Sequence, residues 1–137
     1  MPPVMVTYDE LIAWGSPDNY TAYRPYCWIK VHGPRAPNAW DGWGLLDTGA
    51  DFLILPAAVA CILKIDIVNC PKEEVAIASG KVDLLPKTFL DVTIRRKRIN
   101  KVKAIFGTGT IPLIGLHTIL AAMEFGIEIN GWLYRRI

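Results

Sequence analysis

From Tyr23 onward the chain alternates short apolar runs with turn residues. Tyr26-Cys27-Trp28-Ile29-Lys30-Val31 is rich in aromatic and β-branched residues and predicts a strand. It stops at His32-Gly33-Pro34, and a turn-rich stretch, 35–42, leads into a second strand, Trp43 to Leu46. Phe52-Leu53-Ile54-Leu55 is a continuous apolar run of the kind found in fully buried strands. Pro56 sits where a helix tolerates proline, in the first turn, and Ala57 to Leu63 supplies helix formers. Val75–Ala78 and Lys81–Leu85 flank Ser79-Gly80, which predicts a hairpin with a flexible tip. Phe89–Ile94 and Ile99–Phe106 form a further strand pair around Arg95 to Arg98, and Ile111 to Ile114 is a buried run closed by Gly115. Leu116, Ile119, Leu120 and Met123 recur at helical spacing, with Gly126 as the stop. Asn130-Gly131 between Ile127–Ile129 and Trp132–Tyr134 predicts a tight terminal hairpin.

Residues 1–22 read differently, as an extension ahead of a single domain over residues 23–137. Thr7-Tyr8-Asp9-Glu10 has the form of a capping box, predicting a short helix to Trp14 with Gly15 as its stop. The 137-residue length is enough to bury a core without disulfides. A 52% apolar and 20% charged composition describes a globular chain rather than a disordered one. The net charge of +2 is too small to argue for nucleic acid. The basic run Arg95–Arg98 with Lys101 and Lys103 reads as a solvated hairpin whose charges blunt a β edge, ahead of an oligonucleotide site. Cys27, Cys61 and Cys70 form no C-x-x-C pair and are odd in number, so reduced thiols and a cytoplasmic location are expected. No signal peptide and no membrane-spanning run is evident. His32 and His117 read as structural or exposed, and no Cys/His spacing resembles a metal site. The five tryptophans, Trp14, Trp28, Trp40, Trp43 and Trp132, read as core and interface anchors.

Against this background one triplet carries chemistry. Asp47-Thr48-Gly49 follows the apolar pair Leu45-Leu46 and precedes Ala50-Asp51. A carboxylate at the mouth of a buried strand is costly unless something uses or satisfies it. The bland reading is a strand-end aspartate satisfied by backbone N–H groups. The triplet occurs once, so a site needing two such aspartates must take the second from another molecule.

Leu45-Leu46-Asp47-Thr48-Gly49-Ala50-Asp51, the apolar run to Leu55, the Ser79-Gly80 hairpin, Ile111-Pro112-Leu113-Ile114-Gly115 and the segment from Leu116 occur in the order seen in retropepsin-like aspartic proteases. Over residues 23 to 137 the chain resembles these single-domain relatives of retroviral proteases, and Ala78-Ser79-Gly80 resembles the Ala-x-Gly stretch of bacterial-type members. The resemblance implies a mainly β, closed antiparallel barrel with one or two short helices, assembled as a two-fold homodimer. It implies an endopeptidase in which Asp47 of each chain forms the catalytic pair, with Thr48 holding the two loops in register and Gly49 allowing close approach. Ala50, Asp51, Ala78, Ser79, Gly80 and Ile114 are the implied substrate-binding positions, with 78–80 as the flap. No cofactor and no metal are implied; the partners are a second copy and a peptide or protein substrate, without nucleic acid or membrane. Trp132 becomes the expected interface residue, because family members build their dimer sheet from chain ends. Residues 1–22 would then cover the dimer edge, replace an interface strand or form a removable pro-segment. Retroviral members carry Arg after the second apolar-apolar-Gly, where this chain has Leu116, so Asp51 needs another partner, His117 or an arginine, or stays solvated. A catalytically inactive dimerisation or peptide-binding module is the alternative from another functional class.

Overall fold

The sequence's short apolar runs become strands that close into a ring. The structure, a computed structural model, describes residues 10–13, 26–76, 79–94, 96–115, 117, 123–128 and 131–136; side chains from 118 onward and of residues 10–13 are not described. The elements are β1 (Glu10–Ala13), β2 (Tyr26–His32), β3 (Ala39–Leu46), β4 (Leu53–Pro56), α1 (Ala57–Ile62), β5 (Lys72–Ala76), β6 (Val82–Ile94), β7 (Lys97–Gly107), β8 (Leu113–Ile114), β9 (Met123–Glu128) and β10 (Gly131–Arg136). Seven of them form one sheet in the order β2-β3-β8-β4-β7-β6-β5, and an additional β2–β6 pairing closes it. The mainly β expectation holds, but the ring is not antiparallel throughout: β3 runs parallel to β8 and β4 parallel to β7. Chain reversals through α1 and the loop before β8 supply the long connections that parallel pairs require.

The core lies inside the ring. Cys27, Ile29 and Val31 of β2, Leu53 and Leu55 of β4, Val92 and Ile94 of β6, and Val102, Ala104 and Phe106 of β7 pack there with Val59, Ala60 and Leu63 of the α1 region. The strict in–out alternation of β2 puts Trp28 outside, 48% exposed and edge-on to Trp43 with ring centroids 5.5 Å apart. Of the tryptophans expected as core and interface anchors, Trp28 is therefore a surface residue outside the core, whereas Trp40 packs against the core. Burial pushes the Cys27 thiol up to about 12, while Cys61 is exposed; all three cysteines are free.

Three local features depart from the sequence reading. The two strands expected over Lys81–Leu85 and Phe89–Ile94 are one, β6, which begins at Val82 and runs through Pro86; Pro86 pairs with the first residue of β5 at the end of that ladder. Part of the predicted N-terminal helix is strand: β1 pairs antiparallel with β10, Glu10 opposite Tyr134. A two-turn helix is marginal alone, and the long-range ladder satisfies the backbone instead. Thr7 and Trp14 lie outside the described residues. The helix predicted to stop at Gly126 gives way to β9 from Met123, in which Gly126 pairs with Leu133; Leu116, Ile119 and Leu120 lie outside the described residues. The terminal hairpin is present, but Gly131, expected in its turn, is the first residue of β10 and pairs with Glu128; Ile129 and Asn130 lie outside the described residues.

The basic hairpin is partly neutralised. Between Leu90 and Val92 the β6–β7 register shifts, and Lys101, at φ 54°, sits in the bulge. Asp91 takes up the strain there, accepting the Lys101 N–H at 3.1 Å and an Arg98 nitrogen at 2.8 Å. These contacts, led by Arg98, hold the Asp91 carboxyl below its usual range. Among the described residues no helix is long and apolar enough to cross a membrane.

Candidate active site

β8 is two residues long and wedged between β3 and β4, which are consecutive in sequence. The loop joining β3 to β4 must therefore cross the end of β8, and this loop is Asp47–Phe52. Its path is fixed by backbone bonds: Leu45 N–H to the Pro112 carbonyl at 2.8 Å, Asp47 N–H to that of Ile114 at 3.0 Å, and Ala50 N–H to that of Asp47 at 3.2 Å. Gly115 follows β8 directly beneath the loop. A Cβ on Gly115 would lie 2.2 Å from the Phe52 carbonyl oxygen and 2.6 Å from its nitrogen, so only glycine fits.

Asp47 stands half-buried at the end of β3. Its Oδ1 accepts the Gly49 N–H at 2.9 Å, and Oδ2 has no hydrogen-bond partner among the described residues. The backbone satisfaction of the bland reading is thus met for one oxygen and leaves the other available. Asp47 lies on a groove of about 720 Å³, with Gly49, Ala50 and Asp51 on its floor and apolar side chains such as Ile54, Ile111 and Leu113 along it. The β5–β6 hairpin borders the same groove through Val75, Ser79, Asp83 and Leu85. Val75 and Asp83 are opposite each other in register, and Ala76 opposite Val82 closes the ladder at the tip.

Of the residues singled out in the sequence, Asp47, Gly49, Ala50, Asp51 and Ser79 converge on this groove. Thr48 is exposed beside it and does not line it. Gly80, at φ +83° with nothing within 4 Å of where a Cβ would be, forms the hairpin turn rather than the groove wall. Ile114 is 1% exposed and belongs to the core; it serves the site from behind, through the carbonyl that holds Asp47. Ala78 lies outside the described residues.

Asp51 resolves the question left by Leu116 in an unexpected way. His117 does meet it, but main chain to main chain: the His117 N–H donates to the Asp51 carbonyl at 2.8 Å. The Asp51 carboxylate has no partner among the described residues. The next side chain, Phe52, stacks at a tilt on the His117 ring, centroids 5.7 Å apart, and carries the Lys103 ammonium 4.1 Å over its face. Lys103 also pairs with Glu73 of β5, which Lys87 approaches at 3.5 Å. Sequence reasoning assigned Lys103 to a surface basic run. Instead it is the pin that joins the hairpin stem to the loop carrying Asp51. Its bond to Glu73 is the main reason the Glu73 carboxyl is held below its usual range.

Away from the groove, His32 Nε2 lies 2.8 Å from Thr93 Oγ1, and burial together with Arg98 and Lys30 lowers its pKa. No group of His, Cys, Asp or Glu among the described residues could hold a metal ion.

No family model and no curated protein matches the sequence. The fold does have a solved counterpart. A retropepsin-like aspartic protease from Rickettsia conorii is similar with a TM-score of 0.59, covering 80% of this chain and 89% of its own at 20% identity. The architecture is therefore the retropepsin-like fold, and the Asp47 loop occupies the crossing of β3, β8 and β4 within it.

Proposed function

We propose that this protein is an aspartic endopeptidase acting as a homodimer, with Asp47 of each chain as the catalytic pair. One observation carries the reading: the Asp47 carboxylate sits on a long apolar groove with one oxygen fixed by the Gly49 amide and the other unpartnered. The fold shared with the Rickettsia conorii protease supports it.

Amide hydrolysis by carboxylates needs an ionised group to take a proton from water and a neutral one to polarise the carbonyl. Two carboxylates about 3 Å apart share a single proton and divide these roles. They titrate as a coupled pair, neither owning its own pKa. A single chain holds half of this arrangement, and a two-fold axis supplies the rest at the commonest oligomeric symmetry. The Thr48 hydroxyl, exposed beside the groove, would then bond across the axis. Ala50 and Asp51 from the floor, and 78–80 from the hairpin, would hold an extended peptide by its backbone, with the hairpin closing as a lid. Residues 1–22 form an extension to the 23–137 protease domain, and the β1–β10–β9 sheet, with Trp132, supplies the dimer contact.

Asp47→Asn leaves the thermal transition in place and abolishes peptide cleavage; retained turnover in that variant overturns the proposal. Sedimentation of the wild type reports a dimer under the conditions of activity. Because one carboxyl must keep its proton, the rate falls as pH rises above the acidic range, and a rate still climbing through pH 9 contradicts the dyad.

A further inference from the structure

The register of the hairpin places one more charged side chain on the groove. Asp83 is opposite Val75, and Leu85 opposite Glu73, so these four share the inner face of the β5–β6 ladder. Leu84 and Val82 alternate to the other face and are 64% and 59% exposed. On the inner face Glu73 is consumed by Lys103 and Lys87. Asp83, two residues nearer the tip, has no hydrogen-bond or ion-pair partner among the described residues.

The same holds for the other acids along the groove. Asp51 on the floor also lacks a partner among the described residues, as does Glu74, which borders the groove but shares the outer face of the ladder with Leu84, whereas Asp91, away from the groove, is paired with Arg98. The described lining contains no Lys, Arg or His. The carboxylates are spread along the groove rather than gathered, and no group of them could hold a metal ion. Lys87 of β6 and Lys103 of β7 are already bound to Glu73, and Lys81 at the tip does not line the groove. A peptide entering this groove therefore meets apolar walls and carboxylates, with no cation among the described lining residues. Such a lining draws in cationic side chains and repels acidic ones.

We propose that the groove selects extended peptides carrying a lysine or arginine beside an apolar core, and that Asp83 is a specificity-determining residue that receives the cation. The inference rests on the peptidase reading for its substrate class. Lys81, the cation at the hairpin tip, is exposed, does not line the groove and makes no ion pair with Asp83, so the substrate supplies the charge that Asp83 lacks.

The test uses the full chain and matched apolar peptides that differ at one position, Lys, Gln or Glu. Cleavage of a mixed library first locates the position at which basic residues are enriched. At that position the Lys peptide has the higher kcat/KM, by about fivefold over Gln, the upper end for one exposed ion pair. The ratio shrinks in high salt. Asp83→Asn brings the Lys-to-Gln ratio close to one, and Asp83→Lys inverts the Lys-to-Glu preference. Cleavage without charge preference, or a Lys preference unchanged in Asp83→Asn, overturns the inference and leaves the peptidase reading standing. Fluorescence anisotropy with the Asp47→Asn chain separates the opposite case. If the wild type cleaves nothing yet the same peptides bind with the Lys preference, and Asp83→Asn removes it, the peptidase reading fails and the role of Asp83 survives.

Discussion

Gly115 and Gly80 sit on the two sides of one groove and are glycine for opposite reasons. Gly115 is required by space: the Phe52 backbone lies where its Cβ would be. Gly80 is required by dihedral angle: at φ +83° a side chain is strained, yet nothing lies within 4 Å of it. The loop at the floor of the groove is therefore held by backbone packed on backbone, whereas the hairpin turn leaves open space where a Gly80 side chain would be. On the peptidase reading proposed above, a fixed base and a hairpin free to move are what closing over a peptide requires.

This contrast can be broken from either side. Gly115→Ala brings the largest effect, because the atom it strikes is main chain that carries the Asp47 loop. About 3 kcal/mol or more of stability is lost, at the upper end for overpacking, and chemical denaturation with intact secondary structure at zero denaturant measures it. Gly80→Ala costs less, about 1 kcal/mol, since only the left-handed backbone is penalised. Its effect is local: hydrogen exchange quickens in Val82–Leu85 while core amides of β7 are unchanged. Equal losses for the two variants would erase the distinction. Lys103→Met gives the smallest change, a drop of a few degrees in Tm at neutral pH, read by thermal unfolding. It loosens the stem by which the hairpin is joined to the base. Glu73 has a lowered pKa in the folded chain, so the stabilisation from its pairing is present above the ordinary carboxylate range, about 4.3. It is lost as pH falls through the lower folded value. The difference between Lys103→Met and wild type therefore narrows in acid. A difference that widens below that range would assign Lys103 another role.

The parts of this molecule that could be read from sequence are those whose signal is local. The Asp47 loop, the buried run after it and the turn at Ser79-Gly80 each announce themselves within a few residues, whereas Asn130-Gly131 announced the terminal hairpin but misplaced Gly131, which is strand. What the sequence concealed depends on partners distant in the chain. Residues Glu10–Ala13 follow a capping box, yet they are strand because Gly131–Arg136 offers a ladder. Trp28 suggested a core anchor by size, but the in–out order of β2 gives the interior to Cys27, Ile29 and Val31. Lys103 belonged to a basic run on paper and is turned by the β6–β7 bulge and register toward Glu73 and Phe52. The same is true of Asp83, whose side of the hairpin follows only from being opposite Val75. Asp47 could be chosen from one triplet; its surroundings needed the whole topology.

The pairing of β1 with β10 has a consequence for proteolytic processing. As the chain stands, β10 is the middle of three strands, its amides and carbonyls occupied on both sides. Clipping anywhere between Ala13 and Tyr26 and releasing the leading peptide would strip one flank of Gly131–Arg136 and make β10, now central, an edge strand. Glu10–Ala13 thus cover a flank of β10 that, once bare, would be open to pairing with a new strand.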